Sequence, residues 1–191
     1  MAALISGSGS VLAFFIVKQG NKWLIGLPLL LFQLVRILIG VHPGLLRFSM
    51  VIFGFNSTAI ALYMSSGFHP FVPAMIALIT GYNIMVILLM MGKTLENDVM
   101  DMSPKATWAP GPVLTNFCGL AVLFLELPCF FYAIAMGISL GQQIMAGEVD
   151  YSQGMAIRLQ AYAMVIVPAL FISAICETIA IHGMSRWSTR H

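Results

Sequence analysis

Charge is what this sequence has least of. Of 191 residues only 8% are charged, nine basic and seven acidic, against about 25% in an average soluble domain. A water-soluble chain of this length needs a charged skin, and this one cannot supply it. The net charge of +2, with no basic run, excludes an electrostatic nucleic-acid footprint and a polybasic lipid-binding tail. Cysteine is scarce as well. Cys118, Cys129 and Cys176 lie in apolar stretches at neither C-x-x-C nor zinc-like spacing, so they read as small buried hydrophobes. There is no P-loop, no Gly-rich phosphate cradle and no Ser-His-Asp arrangement. His42-Pro43 and His69-Pro70 read as loop punctuation. No second histidine sits at a depth that would complete a metal or haem site, so no metal and no cofactor are expected. The acids Glu96, Asp98 and Asp101 read as a solvated loop face, and no catalytic set is expected.

What is present is apolar length. Hydrophobic residues make up 60% of the chain, and its mean hydropathy is +0.95. A bilayer core about 30 Å thick needs roughly 20 apolar residues in a helix. Six stretches qualify or nearly do: residues 2–17, 23–41, 45–64, 71–91, 112–141 and 155–181, with the main polar loop at 93–111. The first is short and rich in Gly and Ser. The runs are apolar throughout, whereas a membrane β-strand alternates. The expected fold is therefore all-α: one polytopic transmembrane helical bundle of about six spans, or five if the first segment does not cross. Met1-Ala-Ala-Leu-Ile has no basic residue before its apolar run, which predicts a retained, embedded segment rather than a cleaved leader.

With six spans, Arg47, Lys93, Lys105, Arg186 and Arg190 collect on one side with Arg36 nearby, against Lys18, Lys22 and Arg158 on the other. That bias predicts a cell-membrane protein with both termini in the cytoplasm. Small residues recur at Gly54, Ser57 and Ala61, at Gly119, at Ala133 and Gly137, and at Ala169, Ser173 and Ala180. They allow close helix approach, within the chain or between copies. Gly137-Ile-Ser-Leu-Gly141 reads as helix punctuation, and Pro128 and Pro168 as break points in the two long C-terminal runs.

Three ionisable residues interrupt the apolar runs: Arg36, Glu126 and Glu177. Each costs about 2.5–3.5 kcal/mol at a helix centre on insertion scales, so each needs a partner, a wet cavity or a proton. Glu126 is expected to face the bundle interior. There it would fix helix register, meet a partner protein, or serve a proton or cation path beside the Pro128 break. Arg36 is a candidate counter-charge for Glu126 or Glu177, or it snorkels to the nearer interface.

The residues around these acids resemble the stage II sporulation protein M family of polytopic membrane proteins. Glu126-Leu127-Pro128 followed by Ala133-Ile-Ala-Met-Gly137-Ile-Ser-Leu-Gly141 is similar to that family's Glu-Leu-Pro and its downstream Gly-x-x-x-Gly-like stretch. Pro168-Ala-Leu-Phe-Ile-Ser-Ala-Ile-Cys-Glu177 is similar to its last helix, and Asn56 to an earlier Asn within an apolar span. Val122 and Leu123 stand where the family often has His-Gly. The likeness covers residues 112–181 and, more thinly, 45–64. It implies a multi-span protein without catalytic residues, a subunit that scaffolds or stabilises a larger membrane complex. Its partners would be the bilayer and other membrane proteins or further copies of itself. The alternative is a small transporter or channel using Glu126 for proton or cation coupling.

Overall fold

The computed structural model describes residues 2–19, 22–41, 43–91 and 110–188. His42, Lys93, Lys105, Arg190 and the trio Glu96, Asp98 and Asp101 lie outside the described residues. The described chain is helical, with no strand among the described residues. It consists of α1 (Ala2–Gln19), α2 (Lys22–Ile39), α3 (Leu45–Ser65), α4 (Phe71–Met91), α5 (Pro112–Met145), α6 (Tyr151–Ala161), a π-helical turn (Tyr162–Ile166) and α7 (Val167–Ser188).

The helix ends follow from local chemistry. Gly40, at φ +79°, takes the left-handed conformation that glycine adopts without strain, and its N–H closes α2 onto the Arg36 carbonyl at 2.8 Å. Pro112 occupies the first turn of α5, where its missing N–H costs nothing. The Thr115 hydroxyl donates to the Gly111 carbonyl at 3.1 Å. Gly147, at φ +72°, ends α5, and the Glu148 N–H returns to the Gln143 carbonyl at 3.0 Å.

Three stretches are long and apolar enough to cross a membrane: Leu45–Ser65, Pro112–Met145 and Tyr151–Gly183. Taking α1 and α2, which meet at 112°, as one broken span makes four. By length and composition, the described helices thus give fewer spans than the six expected. The Gly and Ser run and Lys18 dilute α1, Lys22 and Arg36 charge α2, and the described apolar stretch of α4, Phe71–Val86, is short. The most apolar windows of the three long stretches are only 22%, 22% and 33% buried inside the bundle. Helices this hydrophobic in a water-soluble fold would turn most of that surface inward.

The expected break at Pro128 is also corrected. α5 runs unbroken through it for 34 residues, about 51 Å at 1.5 Å per residue. The proline sits on the exposed side and forfeits one backbone bond, while its neighbours Glu126 and Cys129 are held in the bundle. Pro168 does perturb its helix. With no N–H to return to residue 164, the turn just before it widens into the π segment.

The core gathers Ile60, Tyr63, Met64, Ala77, Cys129, Ala133, Ile134, Ile166 and Leu170 from α3, α4, α5, the π turn and α7. Edge-on ring pairs Tyr63–Phe130 and Phe53–Phe171 flank it, at centroid separations of 5.9 and 5.6 Å. The Gly137 to Gly141 motif is not punctuation. It lies inside α5 and forms the seat for the α3–α4 turn. A Cβ on Gly141 would overlap the backbone of His69 and Pro70, and one on Gly137 would strike the Tyr63 carbonyl and the Pro73 ring. The turn answers in kind: a Cβ on Gly67 would come within 2.6 Å of the Gly137 carbonyl. A second close approach joins α1 to α4. Gly9 lies against the Leu78 carbonyl and Gly81 against that of Ser6, and the Ser10 hydroxyl donates to the Gly81 carbonyl at 3.2 Å.

Candidate functional site

The direction of the helices decides what the interior acids can reach. Along α5 and the returning α6–α7 run, Met136 meets Arg158, Glu126 meets Ser173, Cys118 contacts Cys176 and Thr115 packs against Gly183. Numbers fall on one helix as they rise on the other, so the two are antiparallel. Helical side chains lean toward their own N-terminus. Glu126 on α5 and Glu177 on α7 therefore lean toward one another.

Glu126 joins three helices. Asn56, midway along α3, donates from Nδ2 to its Oε1 at 3.0 Å. Ser173 on α7 donates from Oγ to its Oε2 at 3.3 Å. Both partners are neutral. Bonds on either side of this site tie α3 to the last helical run. Tyr162 donates from its hydroxyl to the Ser57 carbonyl at 3.1 Å, and its hydroxyl also contacts that of Ser57. Toward the other end, the Ser49 and Thr178 hydroxyls pair at 2.8 Å, with His182 buried one turn beyond Thr178. The result is a polar seam along the α3–α5–α7 interface, centred on Glu126 and flanked by apolar core.

Asn56, Glu126 and Glu177, singled out as polar interruptions of apolar runs, thus fall in one place. Pro128 is two residues from Glu126 but faces outward. Arg36 does not join them. It lies in the last turn of α2, lining a shallow depression of about 310 Å³ with Gln33, Ile37, Gly40 and Val41. The suggested pairing of Arg36 with either glutamate is replaced, for Glu126, by Asn56 and Ser173.

Sequence reasoning marked Ser173 only as a small packing residue and missed Tyr162, Ser49 and Thr178. One signal was there to find: Ser173 and Glu177 are four apart, hence on one helix face. Arg158 was read as a flanking charge, but it is buried at 8% exposure. Its guanidinium donates to the Met136 carbonyl at 3.1 Å, to the Gly154 carbonyl at 2.8 Å and to Gln143 Oε1 at 3.0 Å. It clamps the α5–α6 hairpin, well away from the glutamates. Among the described residues no group of three or more His, Cys, Asp or Glu is gathered as a metal site would require.

No family model matches the chain, and no curated protein or solved structure matches it. The reading of function therefore rests on the residues themselves.

Proposed function

We propose that this chain is a non-catalytic integral membrane subunit that scaffolds or stabilises a larger membrane complex. The observation that carries the reading is the state of Glu126. Both of its carboxylate oxygens accept from neutral donors on two other helices, which is how an interior acid sets helix register. The resemblance of Glu126-Leu127-Pro128 and Pro168 to Glu177 to the sporulation protein M family points the same way. In the full reading all six long helical runs cross, α1 and α4 together as a small-residue pair, with both termini in the cytoplasm as the Lys and Arg bias suggests. The lipid-facing surface, with Phe124 at 72% and Val113 at 82% exposure, is then available to acyl chains and to neighbouring subunits.

The test is purification of the full chain from its own membranes in two mild detergents, with quantitative mass spectrometry. The reading expects one membrane protein to co-elute at fixed stoichiometry in both, and to lose abundance when this chain is deleted. A chain that elutes alone and whose deletion leaves the membrane proteome unchanged contradicts it.

A second reading, a small transporter or channel, draws on the facing Glu126 and Glu177. Proteoliposomes separate the two: ion or proton flux that disappears in Glu126→Gln belongs to a transporter, and a silent wild type belongs to the scaffold.

A further inference from the structure

We propose that the end of α2 and the start of α3 bind one anionic diacyl phospholipid, with its phosphate held between Arg36 and Arg47 and its glycerol esters beside Gln33. The inference rests on α2 crossing the bilayer, and it holds for a scaffold and for a transporter alike.

The site is built by one face of α2. Phe32, Val35 and Ile39 turn inward and pack in a cluster with Phe48 and Ile181. Gln33, Arg36, Ile37, Gly40 and Val41 line the depression of about 310 Å³ on the other side, as their spacing of three and four allows. Arg47 reaches it from α3. The turn between the helices is short, so the first turn of α3 lies level with the last turn of α2. There the Arg47 guanidinium folds back and donates to the Leu38 carbonyl at 3.1 Å. The same nitrogen lies 3.5 Å from where a Cβ on Gly40 would stand. Gly40 has no side chain to screen it, so both arginines border the depression. Each guanidinium carries five N–H donors, enough for contacts within the chain and for a phosphate together. No carboxylate lines the depression among the described residues. Two arginines against one phosphate select a headgroup with net negative charge.

Depth distinguishes a lipid from a free phosphate ion. Gln33 lies seven residues before Gly40, about 10 Å further in along the helix axis. The headgroup layer outside the hydrocarbon core is about 5–8 Å thick on each side. Donors spread over that distance match a molecule with its phosphate outside and its ester carbonyls further in. A phosphate ion would use only the outer end. The Gln33 side chain is exposed, and its amide NH2 is a donor that an ester carbonyl satisfies. Ile37, Leu38, Val41 and Leu46 are exposed around the site, so acyl chains have apolar side chains to lie against.

The test reconstitutes the full chain in phosphatidylcholine bilayers holding a trace of phosphatidylglycerol with a photoreactive group near the glycerol end of one acyl chain. A second set carries the same probe built on phosphatidylcholine, and peptide mass spectrometry locates the adducts. The expected result is a phosphatidylglycerol adduct concentrated on residues 33–41, at least about tenfold above the phosphatidylcholine probe there. Arg36→Gln and Arg47→Gln should each cut that excess by about fivefold, and a large excess of inorganic phosphate should leave it unchanged. Labelling of residues 33–41 that ignores the headgroup, or an excess that both substitutions leave intact, would overturn the site. Displacement by inorganic phosphate would also overturn it, in favour of a free anion. Absence of adducts along all of α2, Leu27 and Leu30 included, would overturn it by removing the crossing helix, a failure distinct from uniform labelling of a helix that does cross. Arg47 is exposed, so its substitution leaves the packing in place, and the two wild-type probes decide even if a variant fails to accumulate.

Discussion

Gly141→Leu is expected to abolish the compact bundle, or to lower its thermal stability in detergent by about 3 kcal/mol or more. Overpacking a filled core costs about 1–3 kcal/mol when neighbouring side chains can yield. Here the obstacle is backbone. The new Cβ would overlap the Pro70 amide nitrogen and come within 2.7 Å of the His69 carbonyl carbon. The α3–α4 turn has no way to retreat, because Gly67 presses on the Gly137 carbonyl one turn back along α5. The control is Gly119→Leu on the same helix. A Cβ there meets nothing within 4 Å, and leucine also removes the cost of about 1 kcal/mol that glycine carries in a helix. Intrinsic fluorescence during a thermal ramp in one detergent should therefore show a large loss for Gly141→Leu and no loss, or a small gain, for Gly119→Leu. Equal behaviour of the two variants would mean that the motif is not a seat.

Gly81→Leu should release α1 from α4 while leaving the rest of the bundle intact. The two helices touch through small groups: Gly9 on the Leu78 carbonyl, Gly81 on the Ser6 carbonyl, and Ala13 buried at 0% exposure beside Tyr82 and Val86. A side chain at Gly81 would collide with the Ser6 backbone. Loss of about 3 kcal/mol of docking corresponds to roughly a hundredfold change in the docked population. A cysteine at Ser10, in a chain whose three native cysteines are replaced by alanine, reports this directly. Ser10 lies against the Gly81 carbonyl, so a permeant maleimide should label it slowly in the parent and at least about tenfold faster in Gly81→Leu. The hydrogen bonds of the Glu126 site lie elsewhere, to Asn56 on α3 and Ser173 on α7, and should persist in the same variant.

Both glycine contacts show where the sequence was legible and where it was not. Helix existence was readable, because apolar runs of this length have few other conformations. The observed helices start and end within a few residues of the expected runs, except that the last helical run extends from Tyr151 to Ser188 instead of 155–181. The count of spans was less secure, since it depends on composition at α1, α2 and α4, where serine, lysine and arginine dilute the hydrophobic signal. The roles of Gly137 and Gly141 were not readable. A Gly-x-x-x-Gly pair states that something comes close, not what does, and here it is a turn rather than a second helix. Pro128 misled for a related reason: loss of one backbone bond does not bend a helix that its neighbours hold on the opposite face.

The polar seam was half visible. Asn56, Glu126 and Glu177 stood out because a polar group in an apolar run is costly wherever it points. Which of them meet depends on helix rotation and stagger, and a helix face wide enough to hide Glu126 from lipid can turn toward several neighbours. Arg36 was the attractive partner by charge alone, but the last turns of α2 pack through Val35 and Ile39 into a cluster with Phe48 and Ile181, and Asn56 and Ser173 take the two Glu126 oxygens. Ser173 answered instead, a residue whose hydroxyl is silent in a hydropathy profile and whose position four residues before Glu177 carries the information. Arg158 stayed hidden because it lies in the least apolar stretch of the last long run, where an arginine is ordinarily a solvated flank rather than the clamp of a hairpin.

All of these roles presuppose that acyl chains cover the outer faces of α3, α5 and α7. A nitroxide at Phe124, in the cysteine-free chain reconstituted into bilayers, probes that surface by its collision rates with oxygen, which concentrates in hydrocarbon, and with a water-soluble nickel chelate. The account predicts frequent oxygen collisions and almost none with nickel, because Phe124 points away from the bundle and lies two residues from the interior acid. Free access of nickel to that position would place the face in water and contradict the account at its base.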